Sequence, residues 1–125
     1  MITYLSIIAG RMGKRRPGPD PRLGEVEQLV MLALLRLDSE AYAVPIRDLI
    51  ASEGGVELSR ATIYITLDRL ETKGLLESAF SEPTAAPGGK ARRVFRLRPE
   101  GLAALKAVRR AVDRLAAGTL LARRV

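Results

Sequence analysis

The chain has 125 residues, 47% hydrophobic and only 4% aromatic, so it can bury one domain's core but must build it from Leu, Ile, Val and Ala. With no Cys and no His, disulfides, thiolate chemistry and any zinc site other than an all-carboxylate one are excluded, and the commonest general base is missing. The formal net charge is +7, and the positive side chains are segregated: residues 20–79 are acidic on balance, whereas Arg11 to Arg16, the stretch with Lys90, Arg92, Arg93, Arg96 and Arg98, and the C-terminal region are basic.

A phosphate-bearing partner is the natural reading of that segregation, with plain solubility charge as the alternative. Residues 1–9, MITYLSIIA, are apolar. Their basic residues follow the apolar run instead of preceding it, and the run is too short to span a bilayer, so it does not read as a secretory signal. With the absence of Cys, this points to a cytoplasmic protein. Pro17 to Pro21 reads as a linker, and residues 1–22 form an N-terminal extension.

A first helix is expected from about Gly24 to Leu37. Val26, Leu29, Val30, Ala33, Leu34 and Leu37 follow helical spacing, and Met31, Leu32 and Leu35 add a second apolar face. A helix apolar nearly all round is usually buried on two sides, here by its own domain and by a second subunit. A second helix begins near Tyr42 or Ala43, tolerates Pro45 in its first turn, buries Ile46, Leu49 and Ile50, and ends at Gly54 and Gly55.

The third helix has Ser59 as its N-cap and Gly74 as the residue past its end. Ile63, Leu67 and Leu70 face the core. At 100° per residue Thr62, Ile65 and Arg69 point the opposite way, with Thr66 and Lys73 on one flank. Ile65 facing outward marks a contact surface, its methyls suited to a thymine methyl, although a lone exposed Ile needs no explanation. Ser59 and Arg60 at the helix start suit a phosphate. Thr62, Ile65, Thr66 and Arg69 are candidates for base-edge contact, Arg69 through a two-nitrogen pairing with guanine. Tyr64, at the edge of the core face, either offers its hydroxyl to a phosphate or simply packs.

Leu75 to Phe80 can form a strand and Arg92 to Arg98 another, with Phe95 and Leu97 inward and Arg96 and Arg98 outward. The Ser81–Ala91 loop between them holds Pro83, Pro87, Gly88 and Gly89 and is longer than a tight hairpin needs. Lys90, Arg92 and Arg93 are its phosphate candidates. Pro99 then starts a fourth helix running to about Ala117, with Glu100 favourable at its positive end. Its stripe of Leu102, Leu105, Val108, Val112 and Leu115 suits a helix–helix seam, either with a partner subunit, which we expect, or with its own domain. The order of elements is that of a mainly α (α+β) winged helix-turn-helix with a two-stranded wing and a C-terminal dimerisation helix. Residues 23–98 make the winged-helix DNA-binding domain, 99–118 the dimerisation helix and 119–125 a basic tail. A helix of this kind can enter a DNA major groove while the hairpin beside it touches phosphates.

Three stretches, LGEVEQLVMLALLRL at 23–37, EAYAVPIRDLI at 40–50, and SRATIYITLDRLETKGLLES at 59–78 followed by GGKARRVFRL at 88–97, together resemble the PadR family of bacterial transcriptional regulators. The resemblance spans about Leu23 to Gly118 and is most specific from Ile63 through Tyr64, Leu67, Leu70, Glu71 and Gly74 to Leu75. Ala43 and Pro45 depart from it. It implies a homodimer with one winged helix per subunit, bound to double-stranded DNA at a pseudo-palindromic operator and usually repressing transcription. It also implies a dimer built by the first and last helices, which places Val26, Val30, Leu34, Leu102, Leu105, Val108, Val112 and Leu115 at the interface. Some members respond to small aromatic or drug-like effectors. Here there is no Trp for a stacking floor, and only Tyr4, Tyr42 and Tyr64 carry phenols, so no effector is named. No cofactor or metal is implied.

An enzyme finds no support: there is no Gly-rich phosphate loop before a helix, no nucleophile–base pair and no metal set. The competing reading is a winged helix that docks proteins and never touches DNA. Four arginines between residues 92 and 98 argue against it.

Overall fold

The computed structural model describes residues 22–38, 41–81 and 91–122. The extension at 1–21, the loop at 82–90 with Lys90, and the last three residues of the tail lie outside them. The elements run α1 (Glu25–Leu37), α2 (Ala43–Gly54), α3 (Arg60–Thr72), β1 (Leu76–Phe80), β2 (Arg93–Leu97) and α4 (Pro99–Ala116). This is the expected winged helix-turn-helix order.

Each helix end has a chemical cause. At α1 the Gly24 amide donates to Glu27 Oε1 at 2.8 Å, and the acidic Glu25 and Glu27 sit where the helix dipole is positive. Helix α2 stops at Gly55, whose φ of 70° is left-handed. Helix α3 starts on Ser59, whose Oγ accepts from the Thr62 amide at 3.0 Å. Removing that cap costs about 1 kcal/mol. It ends in a Schellman turn: Gly74 (φ 81°) donates to the Glu71 carbonyl and Leu75 to that of Leu70.

Helix α1 is the centre of the domain, packed against α2, α3, β2 and α4. Val30 and Met31 are wholly inaccessible, as are Ile46, Ile63, Leu67 and Leu70 from the neighbouring helices. The two strands pair antiparallel, with Leu76 opposite Leu97, Ser78 opposite Phe95 and Phe80 opposite Arg93. Phe95, almost completely buried, inserts into the helical core, and its amide donates to the Ala41 carbonyl at 2.8 Å just before α2. The wing is thereby attached to the helices by both side chain and backbone.

The packing corrects the interface expectation for Val30, Leu34, Leu105 and Val108. All four are buried in the core of their own chain. A small domain with few rings needs both faces of α1 and the first half of α4 to close its own interior. Val26 is half-buried against that core and Leu102 is half-buried. The stripe becomes solvent-facing only at Val112 (54% exposed) and Leu115 (81%).

Helix α4 is seated by a contact that its spacing does not reveal. The Arg98 amide donates to the Leu75 carbonyl at 2.9 Å, and Gly101 packs so closely that an added Cβ would lie 2.3 Å from that same oxygen. The obstacle is backbone already held by hydrogen bonds, so it cannot swing aside as a side chain would. Gly101→Ala should lower thermal stability by about 1–3 kcal/mol, despite alanine's better helix propensity. Thermal unfolding followed by circular dichroism measures it, and an unchanged or raised midpoint would contradict this packing.

Candidate nucleic-acid interface

The outer face of α3 is the first part of the surface. Ile65 is 56% exposed, Tyr64 is also exposed, and Thr62 is partly so. Arg60 and Arg69 project from exposed positions, and neither forms an ion pair among the described residues. The Arg69 guanidinium thus has no carboxylate partner among the described residues. At the helix start the Ser59 hydroxyl donates to Thr62 Oγ1 at 2.9 Å, so cap and first outward side chain are linked.

Thr66 departs from expectation. It is buried, and its hydroxyl donates to the Thr62 carbonyl at 2.8 Å. A threonine that satisfies its hydroxyl on its own helix can be buried at little cost, so the flank turns inward. It does not belong to the exposed surface with Thr62, Ile65 and Arg69.

The wing carries less free positive charge than its composition suggests. Arg93 is held by Asp68 Oδ1 at 3.2 Å and Glu71 Oε1 at 2.6 Å, both on α3. Arg96 pairs with Glu77 across the strands, and Arg98 lies 3.6 Å from Glu100. Arg92 makes no ion pair among the described residues; its guanidinium lies over the Tyr42 ring, 4.6 Å from the centroid. That arrangement holds the cation without neutralising it. Arg93 therefore leaves the set of free phosphate candidates, Arg92 stays in it, and Lys90 lies outside the described residues.

A second pair braces the far end of α3. Lys73 Nζ donates to Glu27 Oε2 at 2.8 Å, joining the C-cap of α3 to the first turn of α1. The Glu27 side chain is only 7% exposed. Burial alone would raise its carboxyl. The hydrogen bonds from Lys73 and Gly24 and the charges of Lys73 and Arg69 outweigh burial together, leaving it below the ordinary carboxylate value. Neither this pair nor the Tyr42 platform under Arg92 has a local signal in sequence, because the partners are far apart along the chain.

Among the described residues no helix is long and apolar enough to cross a membrane, and no acidic cluster could hold a metal ion. Three helices, a hairpin wing packed on the third, and an outward helix face beside that wing define a winged helix-turn-helix protein. Residues 31–107 match the transcriptional regulator PadR-like family, well over half of the chain. The chain belongs to that family of transcriptional regulators. It is 46% identical over 65 residues to the transcriptional regulator Rv3488 of Mycobacterium tuberculosis, a match covering 52% of this chain and 57% of that protein. A PadR family regulator from Eggerthella lenta superposes with a TM-score of 0.58 at 29% identity, covering 92% of this chain and 90% of the other. One from Clostridium difficile gives 0.60 at 25% identity over 74% of this chain and 95% of the other.

The Glu27 environment sets a pH dependence. A carboxyl lowered by folding contributes its full stability above its unfolded value and loses it as pH falls through the folded one. Glu27→Gln should be less stable than wild type at neutral pH by about 1–3 kcal/mol. That gap should close progressively as the pH is taken below the ordinary carboxylate range. Urea titrations of both proteins from pH 7 downward measure it, and a gap that widens on acidification would be inconsistent with the Lys73–Glu27 pairing.

Proposed function

We propose that this PadR-like regulator binds DNA directly and sequence-specifically, as a homodimer on a pseudo-palindromic operator, and represses transcription in the cytoplasm without enzymatic activity. The observation that carries the reading is the outward face of α3, where Thr62, Ile65 and Arg69 lie together, with Arg69 in no ion pair among the described residues. In a major groove Arg69 pairs with guanine and Ile65 meets thymine methyls. Ser59, Arg60 and Tyr64 fix the helix on the backbone, and Arg92 and Lys90 touch phosphates beside it. Residues 23–98 form the reading unit, and the 99–118 helix supplies the dimer contact.

The dimer contact is centred on Val112 and Leu115, the part of the expected interface left uncovered by the chain's own core. Leu115→Asp should yield a monomer that still unfolds cooperatively, with its midpoint lowered only by the lost association, but with much weaker operator affinity, because two half-sites are no longer held together. Light scattering and circular dichroism on one preparation measure both. A dimer that persists in Leu115→Asp would place the contact elsewhere.

A second reading, a protein-docking winged helix, gains one observation: most of the described wing arginines are already paired within the chain. A gel-shift titration on the protein's own upstream DNA, with scrambled competitor and at two salt concentrations, separates the two. Direct reading predicts competitor-resistant binding that Arg69→Ala weakens by about 1–3 kcal/mol. With Arg60, Lys90 and Arg92 each covering a phosphate in both subunits, the log–log salt slope should lie near about −5. A slope near zero, or binding that scrambled DNA removes equally, would favour the protein-docking reading.

A further inference from the structure

The fork of Arg93 closes a polar assembly between wing and third helix. Nη1 donates to Asp68 Oδ1 at 3.2 Å, Nη2 to Glu71 Oε1 at 2.6 Å, and Nε to Ser78 Oγ at 3.2 Å. Ser78 in turn donates to Glu71 Oε2 at 2.9 Å. The guanidinium also lies over the Phe95 ring, 4.8 Å from its centroid. Asp68 and Glu71 are three apart on α3 and therefore on one side of it. Ser78, Phe95 and Arg93 lie on the sheet face that meets that side. One side chain thus reads the separation and tilt of two elements at once.

We propose that Arg93 is a positioning residue for DNA reading, and that it sets the angle between wing and recognition helix while contributing no phosphate contact of its own. The proposal rests on the DNA-binding function above. Its two acidic partners already neutralise the cation, and leaving them for a phosphate would leave Glu71, a half-buried carboxylate, with no cation and only the Ser78 hydroxyl. Arg92, adjacent in sequence, has the opposite role: it stands over Tyr42 with no carboxylate partner among the described residues and keeps its charge for the backbone of DNA. A planar fork engaging three acceptors is also a task that lysine cannot perform, whereas a phosphate contact tolerates lysine well.

The test is salt-dependent operator affinity, by fluorescence anisotropy, of wild type, Arg92→Met, Arg93→Met and Arg93→Lys, each first checked for cooperative unfolding. The slope counts phosphates neutralised, so removing a contact makes it shallower by about 0.9 per subunit, while removing a strut leaves it unchanged. The expected result is a shallower slope for Arg92→Met alone. Both Arg93 variants should keep the wild-type slope while losing affinity on the order of tenfold, the size of one charge-assisted hydrogen bond. Arg93→Met with a slope reduced like that of Arg92→Met, or Arg93→Lys with wild-type affinity, would overturn the proposal. So would full affinity in Arg93→Met. If Arg93→Met fails to fold, Arg93→Lys decides alone through its affinity. Wild-type protein that does not bind DNA refutes the proposed function itself, a distinct outcome from any of these.

Discussion

Burial of Phe95 is the event on which the geometry of this domain depends. A two-stranded hairpin has little stability of its own and takes a fixed place only when packed on something. Here one ring enters the helical core and its own amide donates to the carbonyl of Ala41, so the strand cannot rotate or slide without breaking both. Burial of such a side chain contributes about 1.5–3 kcal/mol. The cationic side chains that open the second strand are then referenced to the same point. Arg92 lies above Tyr42 one residue beyond Ala41, and Arg93 crosses over the Phe95 ring toward α3.

The third helix is fixed at both ends by different means. Its start is organised by the hydroxyls of Ser59 and Thr62, and its end is tied to α1 through Lys73 and the buried carboxylate of Glu27. Between them the apolar Ile63, Leu67 and Leu70 supply the packing. The polar ties are directional and the apolar contacts are not, so the first decide how the helix is rotated and the second that it stays in place. A rigidly presented surface loses less freedom on binding, which is how such ties translate into affinity.

Much of this was legible in the sequence. The helices announced themselves through spacing, and their ends through Ser59, Pro99, Gly55 and Gly74, because these signals act within a few residues. The alternation around Phe95 identified the buried face of the second strand. Contacts between distant residues stayed hidden. An apolar stripe reads the same whether it meets its own domain or another copy, so the spacing alone does not show that Val30, Leu34, Leu105 and Val108 belong to the core. Counting arginines could not reveal that Asp68, Glu71, Glu77 and Glu100 lie beside them. Helical periodicity gives the direction of the Thr66 side chain but not how far the neighbouring elements rise around it. Gly101 carries no local signal, because its close approach to the Leu75 carbonyl exists only once α4 is docked.

The tie between Arg93 and the carboxylates of α3 has a consequence for redesign. Recognition helices invite transplantation, since their outward residues can be exchanged while the inward ones are kept. In this chain the lateral side of α3 is also spoken for: Asp68 and Glu71 belong to the wing as much as to the helix. A helix grafted from another scaffold without acids at those two positions would leave a guanidinium stranded against a phenylalanine ring. Helix and hairpin therefore form a single exchangeable cassette, and any library that varies one should carry the matching residues of the other.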